Sequence, residues 1–201
     1  MRYDPLIHHR RSTRLRGHDY ASAGAYFVTL NIKNRTPVLA EIVNFETRLS
    51  AIGEIARRCW EEIPKHFKNA ALDEFIIMPD HLHGIIILRK DVEVEAQRVG
   101  IQSASVGIQY IESRQIESRQ ERIESRRKLN QFQKVVPGSI SSIIRCYKAA
   151  VTRLSRREGY GEFVWQRNFH DHIIRSGNEL DRIREYIRKN VEEWTLREDY
   201  S

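Results

Sequence analysis

Cysteine is nearly absent from this chain, with only Cys59 and Cys146 among 201 residues. Two thiols so far apart resemble neither a disulfide framework nor a zinc ribbon, and they read as ordinary thiols of a reducing compartment. No stretch approaches the run of about 18 apolar residues that marks a membrane-spanning helix. The segment Met1 to Arg16 is rich in Arg and His and holds no apolar run, so no secretory signal is expected. A cytoplasmic, nucleoid-associated protein is the expectation. A P-loop, a glycine-rich dinucleotide fingerprint and a Cys-x-x-C pair are also missing.

What is present fits a globular domain with one core. Hydrophobic residues make up 40% of the chain and charged residues 30%, too apolar for global disorder. Lys and Arg number 34 against 27 Asp and Glu, a formal charge of +7. That excess suits a polyanionic partner, because cationic side chains beside phosphates release condensed counterions. It suits a merely basic surface as well.

Along the chain, residues 1–20 form a basic arm carrying Arg2, Arg10, Arg11, Arg14 and Arg16. A single domain is expected over 21–194, with a short tail at 195–201. Ala25 to Ile32 is β-rich and reads as the first strand. Apolar residues then recur at helical spacing from Phe45 to Phe67, predicting a helix with Pro64 near its end. Leu72 to Met78 and His81 to Leu88 read as two strands of an antiparallel hairpin joined at Pro79-Asp80. Residues 91–136 change character: Ile-Glu-Ser-Arg recurs from Ile111, Ile116 and Ile123, a tandem pattern typical of duplicated coding DNA. With no apolar face to pack, the segment reads as a solvated insertion.

A second helix follows from Ile140 to about Arg157, then short extended pieces between Phe163 and Ile174. Ser176 to Glu179 is a capping box that opens a last helix running to about Trp194. Antiparallel strands covered by helices indicate an α+β fold, compatible with a ferredoxin-like (RRM-like) sheet.

Two features carry chemistry. On a strand, residues i and i+2 project from one face about 6.5–7 Å apart, so His81 and His83 can converge on one metal while Leu82 and Ile86 pack behind them. Alone, the pair also fits two surface histidines in a chain that has eight. At about 100° per residue, Leu180, Ile183, Ile187, Val191 and Trp194 form the packing stripe of the last helix. Tyr186 and Asn190 lie together on the border of that stripe, where a tyrosine can rest at a core edge or offer its hydroxyl. Together the features suit transesterification of DNA. A metal on two imidazoles and an amide would polarise a phosphate and favour phenolate from a tyrosine, whose ordinary pKa is about 10. His170-Asp171-His172 could pass for a second metal pair, but flanking Arg167 and Arg175 favour a structural or DNA-backbone role. Arg145, Lys148, Arg153, Arg156 and Arg157 make the second helix basic, either as a solvated face or as a phosphate-contacting surface.

Met78-Pro79-Asp80-His81-Leu82-His83-Gly84, Trp165 to Arg175, and Tyr186-Ile187-Arg188-Lys189-Asn190 occur in one order. In that order, with the Tyr26 to Thr29 strand, they resemble REP-associated tyrosine transposases, relatives of the single-tyrosine HUH transposases of bacterial insertion sequences. The resemblance implies a ferredoxin-like palm in which His81, His83 and Asn190 bind Mg²⁺ or Mn²⁺. Tyr186 would be the nucleophile that forms a 5′-phosphotyrosine link to single-stranded DNA beside hairpins. Arg145, Lys148, Arg153, Arg156, Arg167 and Arg175 are the expected DNA contacts, and related transposases can share sites across a homodimer. Relatives usually continue Asn-Pro, whereas here Val191 follows Asn190. Two other functions compete: a domesticated protein that binds DNA or RNA hairpins without cutting, which would not need these four polar groups, and a hydrolase of small phosphoesters, which would use the same histidines with water as nucleophile.

Overall fold

The computed structural model describes residues 18–89 and 136–198. Most of the basic arm, nearly all of the repeat-bearing insertion and the last three residues lie outside them. In chain order the strands are β1 (Gly24–Asn31), β2 (Ala40–Val43), β3 (Glu46–Leu49), β4 (Ala70–Ile77), β5 (His81–Leu88) and β6 (His170–Ile174). The α-helices are α1 (Ala51–Glu61), the single turn α2 (Ile63–His66), α3 (Ile140–Arg157) and α4 (Gly177–Glu198).

β4, β5, β1 and β6 form one antiparallel sheet in that order. Leaving the β2–β3 hairpin aside, the path is β-α-β-β-α-β with the first and third strands central, the ferredoxin-like arrangement expected. The alternation of each strand divides its side chains between two faces. One face carries Tyr26, Val28, Leu30, Leu82 and Ile86, which pack with Ile55 and Trp60 of α1 and with Ile143, Ile144 and Tyr147 of α3. The other face carries Phe27, Ile76, Ile85 and Ile87 and packs against Leu180, Ile183 and Ile187 of α4. Helix α4 therefore lies across the sheet from α1 and α3, on the face that His81 and His83 share.

Gly84 makes the first face possible. A Cβ there would stand 2.4 Å from Trp60 Cζ2 and 3.1 Å from Phe75 Cβ, so the indole sits where a side chain would otherwise be. The seam between α1 and β5, directly behind the histidines, closes on that contact.

The Phe45–Phe67 helix is replaced by three elements. Asn44 and Phe45 take positive φ, 52° and 60°, and turn β2 back into β3. This two-residue reversal is favoured by Asn-Gly, and with phenylalanine in the glycine position it left no hairpin cue in the sequence. The helix starts only at Ala51, where Ser50 Oγ caps Gly53 N–H at 3.1 Å. Pro64 opens a new turn in α2 instead of closing the old helix, because a proline in the first turn forfeits no helical hydrogen bond. At the other end α4 runs to Glu198, past Trp194. The hairpin β4–β5 and the range of α3 match their sequence expectations closely, and no described helix is long and apolar enough to cross a membrane.

Phe45 is 59% exposed and its left-handed backbone is costly for a residue with a Cβ. Phe45→Gly is expected to stabilise the protein by about 1 kcal/mol, read as a rise of a few degrees in Tm. Gly84→Ala is expected to destabilise it by roughly 1–3 kcal/mol in denaturant unfolding, since Trp60 must be displaced.

Candidate active site

Register across the sheet assembles the site. β1 pairs with β5 so that Thr29 stands opposite His83 and Asn31 opposite His81, all on the α4 face. Each imidazole is fixed through Nδ1. His81 Nδ1 donates to Asp80 Oδ1 at 2.5 Å, and His83 Nδ1 shares a hydrogen bond with Thr29 Oγ1 at 2.9 Å. Phe27 stacks on the His83 ring, with centroids 5.2 Å apart. A carboxylate only accepts, so His81 Nδ1 carries a proton, and in the neutral ring Nε2 is left bare. The Nε2 atoms of the two histidines face each other at 3.1 Å.

The Thr29 hydroxyl can donate or accept, which leaves His83 two tautomers. In one, His83 donates through Nε2 to His81. In the other, both Nε2 lone pairs converge on one point. Two nitrogens about 2.1 Å from a shared ion, at roughly right angles, stand about 3 Å apart. The donor set therefore fits a divalent cation, with Asp80 in the place of the carboxylate that commonly orients a ligating imidazole. Among the described residues no three His, Cys, Asp or Glu side chains gather in a way that could hold a metal. A third protein ligand would have to be of another type, and Asn190, only 6% exposed, lines the same cavity.

Burial, then the neighbouring His81, then the Arg35 cation lower the His83 pKa from 6.5 to about 3, so the ring is neutral at physiological pH. A neutral imidazole is the ligating form.

Tyr186 reaches this pair from α4. Its hydroxyl is 3.3 Å from His83 Nε2, and the residue stays 39% exposed. The helix is held in place on either side of the tyrosine. Strand β4 is irregular between Leu72 and Phe75, and the two acidic residues there reach α4. Asp73 accepts from Arg184 at 2.6 and 2.9 Å, while Glu74 accepts from Arg188 at 2.5 and 3.1 Å. The start of α4 is fixed as well. Ser176 Oγ caps Glu179 N–H, and the Glu179 carboxylate accepts from Arg175 N–H and pairs with His172 Nε2 at 2.8 Å. His172 thus ties β6 to α4.

The resulting cavity of about 190 Å³ is lined by His81, His83, Tyr186 and Asn190 together with Thr29, Asn31, Arg35, Glu193 and Trp194. Sequence reading had singled out the first four. Arg35, Thr29 and Glu193 carried no spacing cue, and Asp80 was read only as a turn residue. Glu193 and Trp194 reach the cavity because Val191 lets α4 continue where Asn-Pro would interfere with the helix.

The expected DNA contacts are scattered. Arg167 and Arg175 are exposed on either side of β6, at an edge of the sheet that holds the site. Arg145, Arg153 and Arg156 are exposed on α3, across the sheet from the cavity. Lys148 points elsewhere: its Nζ donates to the Gln166 and Asn168 carbonyls at 2.8 and 2.9 Å, and burial lowers its pKa to about 8.

An uncharacterised protein of Haemophilus influenzae is 35% identical over 193 residues, 96% of this chain and 94% of that protein. The two belong to one family. No model of a known protein family matches the chain. Among solved structures, a REP-associated tyrosine transposase bound to a REP hairpin shares the fold. Its TM-score is 0.52 at 16% identity, covering 91% of this chain and 74% of that one. The resemblance read from the motifs holds at the level of the fold: an antiparallel α+β sheet with helices, as in that transposase.

Between about pH 3 and 6.5 the unfolded chain binds a proton at His83 that the folded chain does not, so stability rises with pH through that window. In chelator, the wild type should lose stability as pH falls through it. His83→Asn should show a shallower loss, by up to about 1.4 kcal/mol per pH unit, in denaturant midpoints measured across the range.

Proposed function

We propose that this protein is a transposase-like strand transferase that cleaves and rejoins single-stranded, hairpin-flanked DNA through Tyr186. The observation that carries the reading is the tyrosine hydroxyl 3.3 Å from an imidazole nitrogen that itself faces a second imidazole nitrogen at 3.1 Å. A nucleophile and a pair of metal-type donors thus meet at one cleft, in a fold shared with a transposase solved on a REP hairpin.

His81, His83 and Asn190 would hold Mg²⁺ or Mn²⁺. When bound, the ion supplies Lewis acidity to a phosphate oxygen and a positive field that favours phenolate. Asp80 and Thr29 keep both imidazoles aimed through their Nδ1 atoms. Tyr186 loses its proton to solvent at the open side of the cleft, and its oxygen attacks phosphorus. The 3′-oxygen of the preceding nucleotide leaves and takes a proton from water, and the downstream strand stays attached as a 5′-phosphotyrosine. Attack by a 3′-hydroxyl reverses the step and rejoins DNA. The two ion pairs flanking Tyr186 keep its ring over the sheet, where misplacement of about 1 Å costs rate heavily. Arg167 and Arg175 are better placed than the α3 arginines to meet the backbone of DNA entering the cleft.

Purified protein incubated with Mn²⁺ or Mg²⁺ and labelled hairpin DNA from the flanks of its own gene should yield a covalent protein–DNA band on a denaturing gel. Chelator should abolish the band, and Tyr186→Phe should reduce it by on the order of 10³-fold or more while leaving hairpin binding intact. Undiminished turnover of DNA or phosphoesters by Tyr186→Phe would make water the nucleophile. Tight, salt-sensitive hairpin binding without any cleavage by the wild type would make the protein a binding module.

A further inference from the structure

Arg35 stands in the cavity wall beside His81 and Tyr186, yet nothing in the chemistry above uses it. Its backbone is held in the left-handed region, φ 56°, directly after Asn34 at φ 58°. Two successive non-glycine residues there are unfavourable, and such conformations persist where the surroundings over-determine them, often at ligand sites. The surroundings here are specific. Ile32 N–H donates to Asp80 O and Leu39 N–H donates to Pro79 O, both at 2.9 Å, so the loop carrying Arg35 is tied at each end to the turn that leads into His81.

The guanidinium is aimed with equal care. Its Nε pairs with Asp80 Oδ2 at 3.0 Å, and Nη1 donates to Asn31 Oδ1 at 2.6 Å. The side chain nevertheless remains 55% exposed, with no partner for Nη2 among the described residues. A planar cation fixed along one edge and open along the other, at the mouth of a cleft, is suited to an incoming phosphate oxygen. Asp80 alone cannot account for the arrangement. It already binds His81, and a cation needed only to neutralise it could be reached from an unstrained backbone.

We propose that Arg35 grips a phosphate of the single strand in this cleft, contacting a nonbridging oxygen of the phosphodiester presented to Tyr186 and the histidine pair. The site so defined takes single-stranded DNA, in keeping with the strand-transfer reading on which it rests. Arg35 leaves the covalent steps unchanged. It holds the phosphate in line with the Tyr186 oxygen and offsets charge on the equatorial oxygens as phosphorus becomes five-coordinate.

The test uses the full chain and fluorescein-labelled single-stranded DNA of about 12 nucleotides. Anisotropy titrations over a range of salt, in EDTA, measure binding without cleavage. Arg35→Gln should bind about tenfold more weakly, with a log K against log[salt] slope shallower by about 0.7, and Arg35→Lys should keep the wild-type slope. Replacing the phosphates one at a time by neutral methylphosphonates should find one position that weakens wild-type binding and has no effect on Arg35→Gln. An Arg35 that acted only by orienting Asp80 would leave that charge preference in place. If Arg35→Gln unfolds because the buried Asp80 loses its guanidinium partner, the double variant Arg35→Gln/Asp80→Asn removes both charges and should show the same loss. Wild-type affinity, salt slope and phosphate preference in either folded variant overturn the proposal. The covalent-adduct assay separates it from the reading beneath it. A wild type that forms no adduct, combined with weakened binding by Arg35→Gln, sinks strand transfer and keeps the phosphate grip.

Discussion

The Nδ1 bonds of His81 and His83, to Asp80 and to Thr29, determine where the two Nε2 atoms point, and the rest of the cleft is arranged around that choice. An imidazole ring without a fixed Nδ1 partner could rotate or flip and present either nitrogen. Here the partners come from different places: Asp80 from the turn before β5, Thr29 from the neighbouring strand. The β1–β5 register therefore helps to build the cleft, because a one-residue slip would carry Thr29 to the opposite face of the sheet. The core behind the sheet, including Trp60 seated on Gly84, protects that register by making each strand's inward set irreplaceable.

The second half of the cleft arrives on α4, which among the described residues has no other helix beside it on its face of the sheet. Its hold is correspondingly mixed. A modest apolar stripe at Leu180, Ile183 and Ile187 supplies contact area, while Arg184 and Arg188 reach acidic residues at an irregularity in β4. Ion pairs as exposed as Arg188–Glu74 contribute little to global stability. Their directional value is greater, since they set the rotation of the helix about its axis and with it the border on which Tyr186 and Asn190 sit. Polar placement here specifies geometry more than it adds free energy.

How far the sequence could be read follows from this division. His81 to Leu88 and Ile140 to Arg157 were legible because their periodicities coincide with burial. Tyr186 and Asn190 were legible because a helix wheel places them at a stripe's edge. The β2–β3 hairpin was hidden because Leu49 continued the apolar spacing of α1 backwards and because Asn44-Phe45 turns without glycine. Arg35 was hidden for a different reason. Its position depends on a left-handed backbone and on a loop tied to a distant turn, and neither leaves a periodic mark. Asp80 stood in plain view beside His81, but a Pro-Asp pair between two strands is sufficiently explained by the turn it makes.

The helix carrying Tyr186 is anchored to β4 of the same chain that supplies the histidines. Tyr186 and Asn190 therefore move as one body with α4, and a change at the Leu72–Phe75 irregularity of β4, well outside the cleft, would be transmitted to both of them at once.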